Sequence, residues 1–345
     1  MSDVVLGERK QKILSAVVEC YISSGEPIGS KALLTETGMN VSSATIRNDL
    51  ADLVHKGYLI QPHTSAGRIP SHMGYRYYID NLMQPQELSE KVKSHIDRAI
   101  LSSADAPEKI LEKTAQVLAQ LSGMAAVTTT PNGTNARVHK IRFVVTGRHT
   151  GMVVLITSNG MVKSRLFRCD FVLTPELIAM FDKVINDSFV GLPLREINRA
   201  YLQTTATHFG ELSLFMTDVL IAILDAAKQA MQTSLTVCGA TNLLFLDSYD
   251  LLSARNVLKF LSDNERLSSL LDENVMGTKV YLGKESGFFE LSDSCAIVTC
   301  YEIASVAAGA VALIGPSRAD YKTLIPQLEY ASKCASDLIG ELLEV

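Results

Sequence analysis

The sequence holds no CxxC pair and no cysteine or histidine spacing that would build a metal site. Its six cysteines stand apart at 20, 169, 238, 295, 300 and 334, and its seven histidines are dispersed. That pattern excludes a disulfide framework and a zinc module. Cys295 and Cys300 flank Ala296, Ile297 and Val298, which reads as a buried strand. Thiols in such apolar surroundings are inert, so reduced structural cysteines are expected. Catalytic signatures are missing too: there is no P-loop, HExxH, GxSxG or EF-hand loop. The glycine pair at 283 and 287 marks a turn, because no Lys-Ser/Thr helix opens after it. No catalytic residue, metal or cofactor is expected.

Long apolar runs are also lacking. Residues 303–317 carry no charge, but they are rich in small residues and broken by Pro316. Residues 229–246 are uncharged yet contain Gln, Thr, Ser and Asn. Neither reaches the roughly 20 apolar residues of a spanning helix. The first residues show no charged segment followed by an apolar one, so a soluble cytoplasmic chain is expected. Nor is there an excess of basic charge: the net charge is −5 and the pI about 5.8. A nucleic-acid binder with locally clustered cations remains compatible with that balance.

What is present is a folded composition, 47% hydrophobic and 20% charged over 345 residues, enough for two or three cores. Residues 8–83 alternate helix and turn signals and end in a tyrosine cluster. Residues 84–122 read as polar helices. Three strands follow, over Val138 to Val145, Met152 to Ile156 and Val162 to Phe167, joined by hairpin turns. Residues 171–235 turn helical, with helices at 175–185 and 211–231. Beyond them lie strands at 243–246, 279–282, 288–290, 295–301 and 309–314, a helix at 253–271 and a last helix at 321–343. The strands before 168 and after 275 are expected to share one sheet. That makes the helical block an insertion into a single α/β domain.

The first 83 residues carry the most specific pattern. Ile13, Ala16, Val17, Cys20 and Tyr21 mark one helix face, closed by Gly25, Pro27 and Gly29. Ser30 caps a second helix that stops at Gly38, and Ser42 or Ser43 caps a third that runs to Lys56. The third helix turns Ile46, Leu50, Leu53 and Val54 inward and Ser43, Ala44, Arg47, Asn48 and Ala51 outward. Small residues beside one Arg and one Asn suit a helix deep in a major groove, where Arg pairs with guanine and Asn with adenine. A strand at 58–60, a turn at 62–67 and a returning strand at 68–69 form a β-wing, with His63, Thr64, Ser65 and Arg68 near its tip. Such groups reach phosphates or the minor groove.

The charge of this region is balanced, with eight Lys/Arg against eight Asp/Glu in residues 1–83. Asp49 and Asp52 read as solvated or pairing charges. Tyr75, Tyr77 and Tyr78 read as a packing knot. Arg76 fits either a phosphate contact or a surface ion pair. A helix-turn-helix that binds only protein is the competing reading.

The run from Ala44 to Leu53, then Gly57-Tyr58-Leu59, then Pro62 to Pro70, then Gly74-Tyr75-Arg76 and Tyr78, resembles the HrcA family of heat-inducible transcription repressors. Ile314-Gly315-Pro316-Ser317-Arg318 followed by Tyr321 resembles that family's second signature, although Ala319 stands where the family often has Met. The resemblance implies an α+β multidomain chain: a winged helix-turn-helix at 1–83, a linker helix and GAF-like domain at 84–168 and 236–345, and a dimerisation domain inserted at 169–235. It implies a homodimer on double-stranded DNA at an inverted-repeat operator, called CIRCE, upstream of chaperone operons. It also implies that the GroEL chaperonin keeps the repressor active and that heat relieves repression. By position, residues 42–48, with Ser42, Ser43, Ala44, Thr45, Arg47 and Asn48, would read the operator. His63, Thr64, Ser65 and Arg68 would form the wing.

The helix at 211–231 has a wide apolar stripe, so Phe215, Val219 and Ile223 are candidates for the dimer contact; burial inside the subunit is the alternative. A pocket under the 141–167 and 279–314 strands would suit a repressor that senses a small molecule. A filled scaffold is the competing reading of the same region.

Overall fold

A computed structural model of the chain describes residues 6–64, 66–102, 106–131, 133, 136–208, 213–246, 249–271, 277–303 and 306–343. Three helices open it: α1 (Glu8–Ser24), α2 (Ser30–Thr37) and α3 (Ser43–His55). A two-stranded antiparallel ribbon, β1 (Leu59–Ile60) with β2 (Ile69–Pro70), follows. Then comes α4 (His72–Tyr77), extended by one π-type turn over Tyr78–Leu82. Left-handed glycines set two of the helix ends: Gly25 at φ 72° after α1 and Gly38 at φ 57° after α2. Ile13, Leu14, Val17 and Val18 of α1 pack on Leu33 of α2 and on Ile46, Leu50 and Leu53 of α3.

After α5 (Glu90–Leu101) and α6 (Pro107–Ser122) comes the body of the molecule, a five-stranded antiparallel sheet in the order β7-β3-β10-β9-β8. Its strands are β3 (Ala125–Thr129), β7 (Leu235–Cys238), β8 (Lys279–Leu282), β9 (Ser294–Ile303) and β10 (Val306–Pro316). One face, including Ala126, Ile297, Val311 and Leu313, packs on α6 and on α12 (Tyr321–Leu343). The other, including Val127, Val298, Ala310 and Ala312, packs on α10 (Leu251–Leu261) and α11 (Asn264–Leu270).

A second sheet stands apart, ordered β4-β5-β6: β4 (Val138–Gly147), β5 (Thr150–Thr157) and β6 (Val162–Arg168). With α7 (Pro175–Phe189), α8 (Arg199–His208) and α9 (Ser213–Met231) it encloses its own core. Ile141, Phe143, Val153, Leu155 and Phe167 meet Phe181, Ile185, Phe189, Val219 and Ile223 there. The chain leaves the body after β3 and returns into β7, where Thr129 faces Leu235 across the ladder. The Thr130 N–H donates to the Ser234 carbonyl at 2.9 Å just beyond.

This corrects the expected sheet. The three strands at 138–168 do not pair with those after 275; β3, between β7 and β10, is the earlier strand that joins them. A boundary at 168/169 would cut one apolar core in two, because β4–β6 bury their inner face on α7 and α9. Residues 136–231 therefore share one core, larger than the expected helical insert of 169–235. The pocket expected under both groups of strands has no place here, since the two groups belong to separate sheets. Smaller differences follow from local turns. Residues 240–245 and 289–291 are short 3₁₀ helices, and the 253–271 helix is two helices meeting at Ser262–Asp263.

Candidate nucleic-acid interface

Helix α3 begins at the Ser42 cap, whose Oγ accepts the Thr45 N–H at 3.1 Å and lies 2.9 Å from Thr45 Oγ1. Both hydroxyls are thus tied into the cap. Ser43 Oγ lies 3.1 Å from Ser30 Oγ and joins the starts of α2 and α3. Ile46 and Leu53 are fully buried, while Ala44, Arg47, Asn48 and Ala51 are exposed on the opposite face. Among the described residues, Arg47 and Asn48 make no side-chain hydrogen bond or ion pair within the chain. An arginine and an amide therefore stand free between two alanines whose size permits close approach.

The acids of α3 turn away from that face. Asp49, 5% exposed, takes Arg9 Nε at 2.7 Å and Nη2 at 3.1 Å. Asp52 takes Lys10 at 2.6 Å and Lys56 at 2.8 Å. Lys10 foremost, and Lys56 with it, hold the Asp52 carboxyl down to about 2. Three cations of α1 and the α3 C-terminus thereby neutralise the helix's own carboxylates. No acid is left to repel phosphate from the outward side.

The ribbon is braced from within. Ile28 and Arg68 exchange backbone hydrogen bonds at 2.9 and 2.8 Å, adding a short edge before α2. A Cβ on Gly67 would come within 2.5 Å of the Ile28 carbonyl carbon, so this crossing requires glycine. Gln61 Nε2 donates to the Thr64 carbonyl at 2.8 Å, and Arg68 Nη1 to the Ala66 carbonyl at 3.1 Å. Arg68 is half-buried and holds the turn, which differs from its expected place at the wing tip. His63 and Thr64 are exposed at the tip. Ser65 lies outside the described residues.

An open cleft of about 480 Å³ separates α3 from the ribbon and the start of α2, with Ser30, Lys31, Arg47, Gln61, Thr64 and Arg68 on its walls. Ser30, Lys31 and Gln61 were not among the expected site residues. The signal for Lys31 was a cation at the start of a helix that follows Gly29; Gln61 had none.

Arg76 is corrected. Its Nε donates to Glu285 Oε1 at 3.2 Å, Nη1 to Asp80 at 3.2 Å, and Nη2 to Glu285 Oε2 and to the Val280 carbonyl. All three nitrogens are engaged away from α3, so it belongs to an ion pair and not to the reading face. The tyrosines form the expected knot. Tyr58 and Tyr77 meet edge-on at 5.2 Å, and Tyr75 meets Tyr321 at 6.3 Å.

Two of the candidate dimer residues follow the alternative reading, burial inside the subunit. Val219 and Ile223 are fully buried in the core of their own subunit, because α9 lies along β5 and β6. The Phe215 side chain lies outside the described residues.

Elsewhere, burial pushes the Cys169 thiol up to about 11 and that of Cys295 up to about 12, which keeps both protonated at neutral pH. Among the described residues, no group of three or more His, Cys, Asp or Glu is placed to hold a metal ion. No helix there is long and apolar enough to cross a membrane.

The family profile described as "HrcA protein C terminal domain" matches residues 108–325. A protein of Lachnoclostridium phytofermentans named "Heat-inducible transcription repressor HrcA" is 33% identical over 331 residues, covering 94% of this chain and 95% of its own. The protein of the same name from Syntrophobacter fumaroxidans is 34% identical and covers 100% and 99%. That from Thermoanaerobacter pseudethanolicus is 32% identical and covers 98% of both. A crystal structure described as a hypothetical protein at 2.2 Å superposes with a TM-score of 0.66 over 98% of this chain and 100% of that one, at 24% identity. That likeness concerns the fold.

Proposed function

Because this chain belongs to the HrcA family of heat-inducible transcription repressors, we propose that it represses chaperone operons by binding, as a homodimer, an inverted-repeat operator of the CIRCE type. The observation that carries the reading is the outward face of α3, where Arg47 and Asn48 stand free while the helix's acids are neutralised behind it. In this reading residues 6–83 are a winged helix-turn-helix. Arg47 and Asn48 meet base edges in the major groove, and Lys31, His63 and Thr64 flank the backbone. The five-stranded sheet with helices on both faces is the GAF-like body. Its role is regulation of transcription in the cytoplasm, with no catalytic chemistry assigned.

An inverted repeat calls for a two-fold dimer. We place its contact on the outer face of β4–β6, where Val144, Val162 and Leu166 are 44, 53 and 71% exposed. Met152 and Val154 alternate onto the same face. The buried residues of α9 are not part of it.

The GroEL chaperonin is the proposed partner that maintains activity, with heat drawing it away. The competing idea, a repressor that senses a small molecule through the GAF-like domain, is not favoured. Both faces of that sheet are filled by fully buried side chains, among them Val298, Ala310, Val311 and Leu313.

A gel shift on a chaperone-operon promoter tests the reading, with and without its inverted repeat, then with GroEL, then with a metabolite extract. Retention only of the repeat-bearing DNA and restoration by GroEL after heating are expected. Binding that ignores the repeat overturns the proposal, and recovery by metabolites alone restores the sensor reading.

A further inference from the structure

Polar ties clasp the DNA-facing unit to the body of the molecule, among them the ion pair of Glu19 in α1 with Lys322 in α12 at 2.7 Å, and two others bear on α4 and on the end of α1. At one, Glu285, in the turn after β8, receives Arg76 of α4 through Nε at 3.2 Å and through Nη2. His72 Nε2 lies 3.3 Å from the same carboxylate and 2.9 Å from the Leu282 carbonyl. The carboxylate is itself fixed, because its Oε2 accepts the Leu282 N–H at 3.0 Å. Burial works against its charge, yet Arg76 and the Leu282 N–H hold the carboxyl below the usual range. At the other place, Arg318 of the C-terminal signature donates to the Ile22 carbonyl at 3.3 Å, close against Gly25 at the end of α1.

Between them lies apolar contact, with Tyr75 and Tyr78 buried in one core with Tyr321. Apolar contact is not directional, so it leaves the docked unit free to tilt. A forked guanidinium–carboxylate pair is directional. Helix α1, held at its end by Arg318, is joined to α3 through Arg9–Asp49 and Lys10–Asp52. The orientation of α3 is thus linked to the body through Arg76 and Arg318, with Lys322 on Glu19 as a further tie on α1.

We propose that Glu285 is a positioning residue for operator binding: by clasping Arg76 and His72 it sets the angle at which α3 is presented, and so registers the two recognition helices of the dimer on an inverted repeat. This rests on the operator reading above. It assigns a role in DNA binding to a residue more than 200 positions from α3, and it accounts for Arg76 without a phosphate.

A protein seated on two half-sites gains roughly 10²- to 10⁴-fold over one half-site, and the gain is lost when geometry forbids simultaneous engagement. Glu285→Gln and Arg76→Lys should therefore lower affinity for the full repeat by about tenfold or more. Affinity for DNA with one half-site scrambled should stay unchanged, and the preference for one half-site spacing should broaden. The exchanged pair, Arg76→Glu with Glu285→Arg, should recover part of the full-site affinity.

The measurement is fluorescence anisotropy of the full-length dimer on both duplexes and on spacers one base pair longer and shorter. Light scattering and thermal melting confirm dimer and fold. Equal losses on full and half sites, or full-site binding and spacing preference both unchanged, would overturn the proposal. A wild-type protein that ignores the repeat would instead sink the operator reading itself, before any variant is made.

Discussion

Val219→Asp separates a helix that forms a dimer contact from one that forms a core. Val219 is fully buried on the side of α9 that faces β5 and β6. Burial of such a side chain contributes about 1.5–3 kcal/mol, which the substitution forfeits. The aspartate also arrives in an apolar core that includes Phe181 and Ile185. Keeping it neutral at pH 7 requires raising its pKa by about three units, roughly 4 kcal/mol at 1.36 per unit. A total near 6 kcal/mol approaches the roughly 5–15 kcal/mol that holds a whole domain together. The 136–231 region should therefore unfold, seen as loss of cooperative melting and early proteolysis. Ile221→Asp, at a 50% exposed position of the same helix, should melt like the wild type. Leu166→Asp, on the outer face of the small sheet, should give folded monomers by light scattering. A soluble Val219→Asp monomer with an unchanged melting midpoint would refute the buried role and return α9 to the interface.

Two further outcomes follow from the N-terminal unit. The Asp52 carboxyl is held at about 2, below its ordinary 3.8, so its tie to Lys10 and Lys56 adds stability above about pH 4. That stability should fade as pH falls from about 4 towards 2. Melting temperature against pH should show this in the wild type and not in Asp52→Asn; an identical slope in both would count against the tie. Gly74→Ala places a Cβ 2.1 Å from the Tyr58 carbonyl oxygen and should cost roughly 1–3 kcal/mol. Gly7→Ala, with nothing within 4 Å, should lose only the N-cap preference of α1, about 1 kcal/mol or less, in the same denaturant titration. Equal midpoints would contradict the close crossing.

The N-terminal helices were legible because their stop signals are local. Glycines at 25, 38 and 57 end three apolar faces, and α3 runs within a residue or so of its expected limits. The free face of α3 was legible for the same reason, since Arg47 and Asn48 lie opposite Ile46 and Leu50. The body was less so. β3 is Ala125–Thr129, buried on both sides, and it shows no alternation to mark it after α6. The β4–β6 meander was recognised, but its sheet was not, because strand partners are chosen by contacts far apart in sequence. Arg68 and Arg76 could not be told from phosphate ligands by type alone. The Ala66 carbonyl places Arg68 in the turn, and Glu285, 209 residues away, places Arg76 in an ion pair.

The most direct test is the affinity of wild type and Arg47→Ala for two duplexes of equal length, one carrying the inverted repeat and one with it scrambled, at one stated salt concentration. The wild type should prefer the repeat by about 10³-fold or more. Arg47→Ala should lose about 1–3 kcal/mol on the repeat and little on the scrambled duplex. Equal wild-type binding to both, or an equal loss on both, would contradict the assignment of the α3 face as the element that reads the operator.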